Sequence, residues 1–298
     1  MLRRVDLKVG DEFEDALLAL ANRLEIQTFS SPCIVDCPGG EEDFEFTGET
    51  VVSFIYSTVE KDSHEIERQL DEWLKSESPD SEKTVIDYGD NEDWMANFRA
   101  YFRPIQVSDK IIIRPPWQEP LENEQNATVI LIDPGMAFGT GTHESTRLCL
   151  RLMENINLSG CKIVDLGAGS GILSFALLKM GAKEVYAIEI DGPAVENLRK
   201  NAKLNAISSG LEIYCKDLAS FKSGGKFDGL TANISSPIIL ANLQLIIDLV
   251  KDNGWFIFSG INSPNALSMR EAFSKHPLLM IKELTEGEWH GFLVEKKE

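Results

Sequence analysis

The chain is 298 residues long, 43% hydrophobic, and carries a formal net charge of −19. This composition excludes global disorder and suffices for two domains with buried cores. The charge is uneven: residues 1–90 hold 8 Lys and Arg against 23 Asp and Glu, and the rest hold 21 against 25. A front third this acidic repels bare nucleic acid and attracts basic partners at a distance.

The cysteines at 33, 37, 149, 161 and 215 are odd in number and sit mostly in apolar stretches, as reduced thiols do. Cys33 and Cys37 lack a second ligand pair and His64 is isolated, so no metal is expected. Residues 1–8 have no apolar centre for a signal peptide, and no run reaches the ~18 apolar residues of a membrane span. A cytoplasmic, monomeric protein with no membrane association is expected.

Along the front third, residues 4–9 alternate apolar with polar, and 13–24 place apolar residues at helical spacing. Residues 25–35 and 50–58 read as strands, 64–75 as a helix and 84–88 as a strand. The order β-α-β-β-α-β predicts a small α+β ferredoxin-like domain over residues 1–90. Residues 91–125 loosen into a connector with Trp94, Phe98, Phe102, Pro104 and the run Arg114-Pro-Pro-Trp117, read mainly as core aromatics and stiff extended chain.

From residue 126 to 298 strands and helices alternate. Strands are predicted at 128–132, 162–166, 184–189, 211–215, 227–233 and 255–260. Several are nearly continuous apolar runs, as expected of a parallel sheet covered on both faces, with ligands at the carboxyl ends of the strands. Residues 278–284 and 291–296 flank a polar turn at Gly287 and predict a terminal hairpin.

Chemistry concentrates at residues 164–171, Val-Asp-Leu-Gly-Ala-Gly-Ser-Gly, an apolar strand entering a three-glycine turn. The dinucleotide fingerprint would need glycine at 172, where the chain has Ile172. The pattern D-x-G-x-G-x-G instead resembles the S-adenosylmethionine loop of class I methyltransferases. Gly167, Gly169 and Gly171 clear side chains from a sharp turn lying against the cofactor, and the next helix offers free N–H groups to its carboxylate. Asp165 is placed to anchor the turn or the cofactor amine. Glu189 ends the next strand, where a carboxylate can accept ribose hydroxyls, and Asp217 follows the third strand, within reach of an adenine amino group.

A second dense motif, Asp-Pro-Gly-Met-Ala-Phe-Gly-Thr-Gly-Thr-His-Glu-Ser-Thr-Arg, covers residues 133–147 just before a predicted helix. Its glycines and hydroxyls fit a loop able to close over a cofactor, with Thr142 as the N-cap, Glu144 in the first turn and His143 read as a loop cap rather than a base.

Together with Ala232-Asn-Ile234, Asp93-Trp94, Phe102-x-Pro104 and Pro116-Trp117, these motifs are similar to those of the ribosomal protein L11 methyltransferase family, PrmA, over residues 90–298. The resemblance implies a class I, Rossmann-like methyltransferase domain with a mostly parallel seven-stranded sheet. It implies S-adenosylmethionine as cofactor, with contacts at Thr146, Gly167, Glu189 and Asn233. It also implies methylation of lysine side chains and the N-terminal amine of a basic ribosomal protein at the large-subunit stalk base, recognised by the front domain; the acidic charge separately argues against direct nucleic-acid binding. The chain departs from the family in having Glu189 where Asp is common and Ser-Ser-Pro after Ile234. The absence of an Asn-Pro-Pro-aromatic sequence at Asn233 disfavours amide and base nitrogens as acceptors. An RNA or small-molecule methyltransferase, or a non-catalytic cofactor-binding module in ribosome assembly, remains the alternative.

Overall fold

Alternation of apolar residues drives the first unit. In β1 (Leu2–Gly10), Val5, Leu7 and Val9 are buried, and so are Val52, Phe54 and Tyr56 of β3 (Phe44–Ser57). Two helices supply the other half of this core at helical spacing. Leu17, Leu20 and Ala21 come from α1 (Glu14–Leu24), and Ile66, Leu70 and Leu74 from α2 (Ser63–Glu77). Asp62 caps α2 by accepting from the amides of His64 and Glu65. With β2 (Gln27–Asp36) and β4 (Glu82–Tyr88), the strands form an antiparallel sheet in the order β2-β3-β1-β4. This is the ferredoxin-like arrangement expected from the element order.

The computed structural model describes residues 2–24, 26–36, 44–58, 61–79, 81–88, 103–121, 124–133, 143–222 and 225–298. Trp94, Phe98 and Phe102 of the connector, Cys37, and residues 134–142 of the upstream motif lie outside them. The chain divides into two compact units, Met1–Tyr101 and Phe102–Glu298.

The second unit contains two strands inside the stretch read as connector. β5 (Ile105–Ser108) and β6 (Ile111–Arg114) pair antiparallel, and β6 pairs in parallel with β7 (Thr128–Leu131). Each is only four residues long, and prolines at 104, 115 and 116 mask the pattern in sequence, yet Ile111, Ile112 and Ile113 are almost fully buried. The predicted strand at 128–132 therefore belongs to this three-stranded sheet and not to the main one.

The main sheet comprises β8 (Lys162–Leu166), β9 (Glu184–Glu189), β10 (Leu211–Cys215), β11 (Phe227–Asn233), β12 (Val250–Asn262), β13 (Leu278–Glu286) and β14 (Trp289–Lys296). Its order is β10-β9-β8-β11-β12-β14-β13, parallel except for β14, which runs antiparallel to both neighbours. Among the described residues five helices accompany it: α3 (Glu144–Met153), α4 (Ile172–Lys179), α5 (Gly192–Leu204), α6 (Ser236–Leu249) and α7 (Ser263–Ser274). The apolar runs have the expected cause, because both faces are buried. Ile163 of β8 enters one core, and Val164 and Leu166 enter the other. A buried Phe such as Phe256 or Phe258, stacked 5.5 Å apart, contributes about 1.5–3 kcal/mol by burial alone. This rigid sheet presents the strand ends on which the candidate site is built.

Candidate functional site

Strand register brings the predicted residues to one edge. Leu166 lies opposite Ile188 on one side and Ala232 on the other, so Gly167, Glu189 and Asn233 leave three adjacent parallel strands at the same level. Cys215 of β10 is opposite Glu189, and Asp217 follows two residues later. Strands about 4.8 Å apart spread this row over roughly 14 Å.

The glycine turn adopts conformations that side chains resist. Gly167, Gly169 and Gly171 have φ of 71°, 53° and 87°. Ile188 O accepts from the amides of Gly167 at 2.8 Å and Ala168 at 3.1 Å, tying the turn to β9. A Cβ on Gly167 would stand 2.3 Å from Ile234 Cγ2, and one on Gly171 2.4 Å from the Phe175 ring. At these two glycines the turn therefore has no space for a side chain.

Asp165 anchors this turn from below. It is 1% exposed and accepts from Ser174 Oγ at 2.6 Å and Thr231 Oγ1 at 2.8 Å, which links the glycine loop to the start of α4 and to β11. Burial pushes its pKa up to about 6 against those stabilising hydrogen bonds. Both of these Asp165 hydrogen bonds go to the protein's own scaffold, one in α4 and one in β11. Its folded pKa lies above the unfolded value, so the native state holds the extra proton, and the associated stability is present at low pH and lost as pH rises from about 4 to about 6. The span is worth about 3 kcal/mol. The Asp165→Asn variant should accordingly gain stability relative to the parent by that order between pH 4 and pH 7.5 in urea titrations. A stability difference that does not vary with pH would contradict this assignment.

Glu189 is half-buried and gathers three backbone donors: Gly169 N on Oε2 at 2.9 Å, and Ile190 N and Asp191 N on Oε1 at 2.8 and 3.0 Å. A carboxylate has about four lone-pair sites, so this one first fixes the loop and retains acceptor capacity on Oε2. Asp191 caps α5 through Ala194 N, with Pro193 in the first turn, as the sequence indicates. Asp217 is exposed and accepts from Ser220 N at 2.7 Å, and those hydrogen bonds hold its carboxyl below the usual range.

Thr146 is fully buried in the first turn of α3, and its Oγ1 accepts from Asn233 Nδ2 at 3.2 Å. This contact joins the upstream motif to the end of β11. Asn233 Oδ1 is buried and has no hydrogen-bond partner among the described residues. Leaving such an acceptor unpaired costs about 1–3 kcal/mol. The α3 cap is His143, whose Nδ1 accepts from Ser145 N, and not Thr142, which lies outside the described residues.

Sequence reasoning missed the support beneath α3. Glu286 accepts from Arg147 Nε and Nη2 at 2.8 and 2.5 Å and from Arg151 Nη1 at 2.8 Å. Trp289 packs edge-on against His143, ring centres 4.5 Å apart. Both come from the terminal hairpin, about 140 positions downstream of their partners; the hairpin is legible in sequence, and its pairing with α3 is not. Ile190, next to Glu189, is 72% exposed and gives this edge an apolar rim. Among the described residues, no group of three or more His, Cys, Asp or Glu is placed to hold a metal ion, and no helix is long and apolar enough to cross a membrane.

The chain is similar to known proteins over nearly its whole length. The family model for ribosomal protein L11 methyltransferase (PrmA) matches residues 24–297. A ribosomal protein L11 methyltransferase of Thermoanaerobacter pseudethanolicus is 39% identical over 211 residues, which is 70% of this chain and 66% of that protein. The match therefore spans just under two thirds of that relative's length. One from Ruminiclostridium cellulolyticum is 35% identical over 254 residues, 84% of this chain and 80% of the relative. A crystal structure of a ribosomal protein L11 methylase from Lactobacillus delbrueckii subsp. bulgaricus superposes with a TM-score of 0.62 at 29% identity, covering 66% of this chain and all of that one. With the seven-stranded sheet, the glycine turn and the Asn233–Thr146 contact in place, these matches show that the chain belongs to the ribosomal protein L11 methyltransferase family.

Proposed function

We propose that this protein transfers methyl groups from S-adenosylmethionine to amines, lysine side chains and the N-terminal amine, of a basic ribosomal protein at the large-subunit stalk base. It would do so as a cytoplasmic monomer without direct contact to nucleic acid. The observation that carries this reading is the buried Oδ1 of Asn233, without a partner among the described residues, on a residue level in the sheet with the glycine turn and Glu189. The residues present suit the cofactor: a cradle with glycine at its three positive-φ positions, a helix N-terminus after it, and an acid at the next strand end. Bound there, S-adenosylmethionine supplies a methyl group already activated by its sulfonium charge.

The chain's own residues divide the remaining work. Gly167, Gly169 and Gly171 with the start of α4 would hold the amino-acid end of the cofactor. Glu189 would accept from the ribose through Oε2, and Asp217 from the adenine amino group. Thr146 and Asn233 would define where the methyl is handed over, Asn233 Oδ1 accepting a hydrogen from the neutral amine and so turning its lone pair toward the methyl. An amine needs only to be desolvated, relieved of its proton and held in line. His143 is not assigned as the base, because Nδ1 is engaged in capping α3 and the ring is packed on Trp289.

The acidic front unit supports a basic protein as substrate. Incubation of the full chain with S-adenosylmethionine and the purified ribosomal protein should add methyl increments to lysines and the N-terminus by mass spectrometry. Methyl incorporation into RNA, or cofactor binding with no transfer to any ribosomal protein, would refute the assignment. Deleting residues 1–101 should leave cofactor affinity unchanged and lower protein methylation about a hundredfold or more, since charge steering alone is worth 10- to 1,000-fold in association rate. Full methylation by the truncated chain would remove the recognition role.

A further inference from the structure

The sequence Asn-x-x-x-Asn-x-x-x-Asn at 197, 201 and 205 places three amides in a row, the first two on α5 and the third at its C-cap. All three are at least nine-tenths buried. Asn205 pairs with both backbone groups of Leu131: Oδ1 accepts from Leu131 N at 2.9 Å, and Nδ2 donates to Leu131 O at 2.6 Å. One turn earlier Asn201 repeats the pairing two residues further along the extended chain, with Oδ1 accepting from Asp133 N at 2.9 Å and Nδ2 donating to Asp133 O at 3.4 Å. The periods match. Four residues of helix rise about 6 Å, and two residues of extended chain advance about 6.6 Å.

Between these rungs Ile132 N turns the other way and donates to Arg114 O, continuing the β6–β7 pairing. The helix amides thus serve as a substitute strand along the open edge of β7, satisfying backbone groups that a sheet edge leaves exposed. Beyond these rungs Asn205 Nδ2 also donates to Asn201 O at 2.8 Å, whereas Asn201 reaches the cofactor loop. Its Nδ2 also donates to Ser170 O at 3.1 Å, inside the glycine turn. One buried side chain therefore holds the first residue of the upstream motif and the cofactor loop against each other. Asn197, next in the period, has a buried amide nitrogen without a partner among the described residues.

We propose that Asn201 is a positioning residue for the cofactor site, acting through the backbones of Asp133 and Ser170, with Asn205 setting the register of the strand it reads. The proposal rests on the cofactor assignment above. Asn201→Ala should raise the dissociation constant for S-adenosylmethionine tenfold or more by calorimetry, with faster hydrogen exchange at the Asp133 amide. Asn201→Asp keeps the acceptor for Asp133 N and loses both donated bonds. It should weaken the cofactor similarly while leaving Asp133 protected, and it carries the test if the alanine variant does not fold. Asn205→Ala should expose the Leu131 amide and lower the unfolding midpoint, yet leave cofactor affinity within threefold, a separation that a purely structural role for the row would not give. Affinity within twofold of the parent in either Asn201 variant, or equal weakening by Asn205→Ala, overturns the proposal. A parent chain that binds no S-adenosylmethionine overturns the cofactor assignment and this inference together.

Discussion

Gly167→Val is expected to abolish measurable S-adenosylmethionine binding, a loss of at least a hundredfold, while the protein stays folded. Two effects act together. Gly167 has φ of 71°, a region that costs an ordinary residue about 1–2 kcal/mol and a β-branched one more. The new Cβ would also stand 2.3 Å from Ile234 Cγ2, close to the backbone that carries Asn233. Relief requires the turn or the end of β11 to move, and either motion breaks the level row of Gly167, Glu189 and Asn233. Gly160→Ala separates strain from placement, because Gly160 has φ of 76° and nothing within 4 Å of a Cβ. That variant should lose about 1 kcal/mol in urea unfolding and bind the cofactor as the parent does. Calorimetry finding parental affinity in Gly167→Val would remove the glycine turn from the site.

The sequence made legible whatever depends on local pattern. Strands at 162–166, 184–189, 211–215 and 227–233 coincide with the structure because each is rich in apolar residues and bounded by glycine, charge or a helix start. The glycine turn and Glu189 were readable for the same reason, since positive φ and strand-end acids leave marks at fixed spacing. Two short strands at 105–108 and 111–114 were not, because four residues framed by prolines carry too little periodicity, and their stability comes from the buried Ile111–Ile113 and from a partner strand at 128–131. The third class is pairing at long range. Glu286 with Arg147, Trp289 with His143, and Asn201 with Asp133 are joined only by the fold, and each residue taken singly reads as surface charge, strand or helix. The longer acid at 189 is a related case: its side chain reaches back to Gly169 N, so the residue that the spacing assigns to a ribose is also part of the loop's own scaffold.

Asn233 distinguishes catalytic placement from stability, because its truncation should change the rate far more than the stability. Its Oδ1 is a buried acceptor with no partner among the described residues, so truncation removes an unmet desolvation cost, while Nδ2 gives up one hydrogen bond of 3.2 Å to Thr146. These terms are each about 1 kcal/mol and nearly cancel. Asn233→Ala should therefore unfold within about 1 kcal/mol of the parent. Its kcat/KM for protein methylation should nevertheless fall by roughly a hundredfold or more, the cost of losing alignment at the reacting atoms. Cofactor affinity should change far less, since the glycine turn and Glu189 are untouched. Asn233→Asp offers a finer comparison: it retains an acceptor on the same side and loses the N–H donated to Thr146, so it should recover part of the rate as the carboxylate takes the amine's hydrogen. Steady-state rates for both variants with the ribosomal protein, set beside their urea midpoints, decide the matter. An Asn233→Ala enzyme at parental rate would mean that Oδ1 has no part in handing the methyl to the amine.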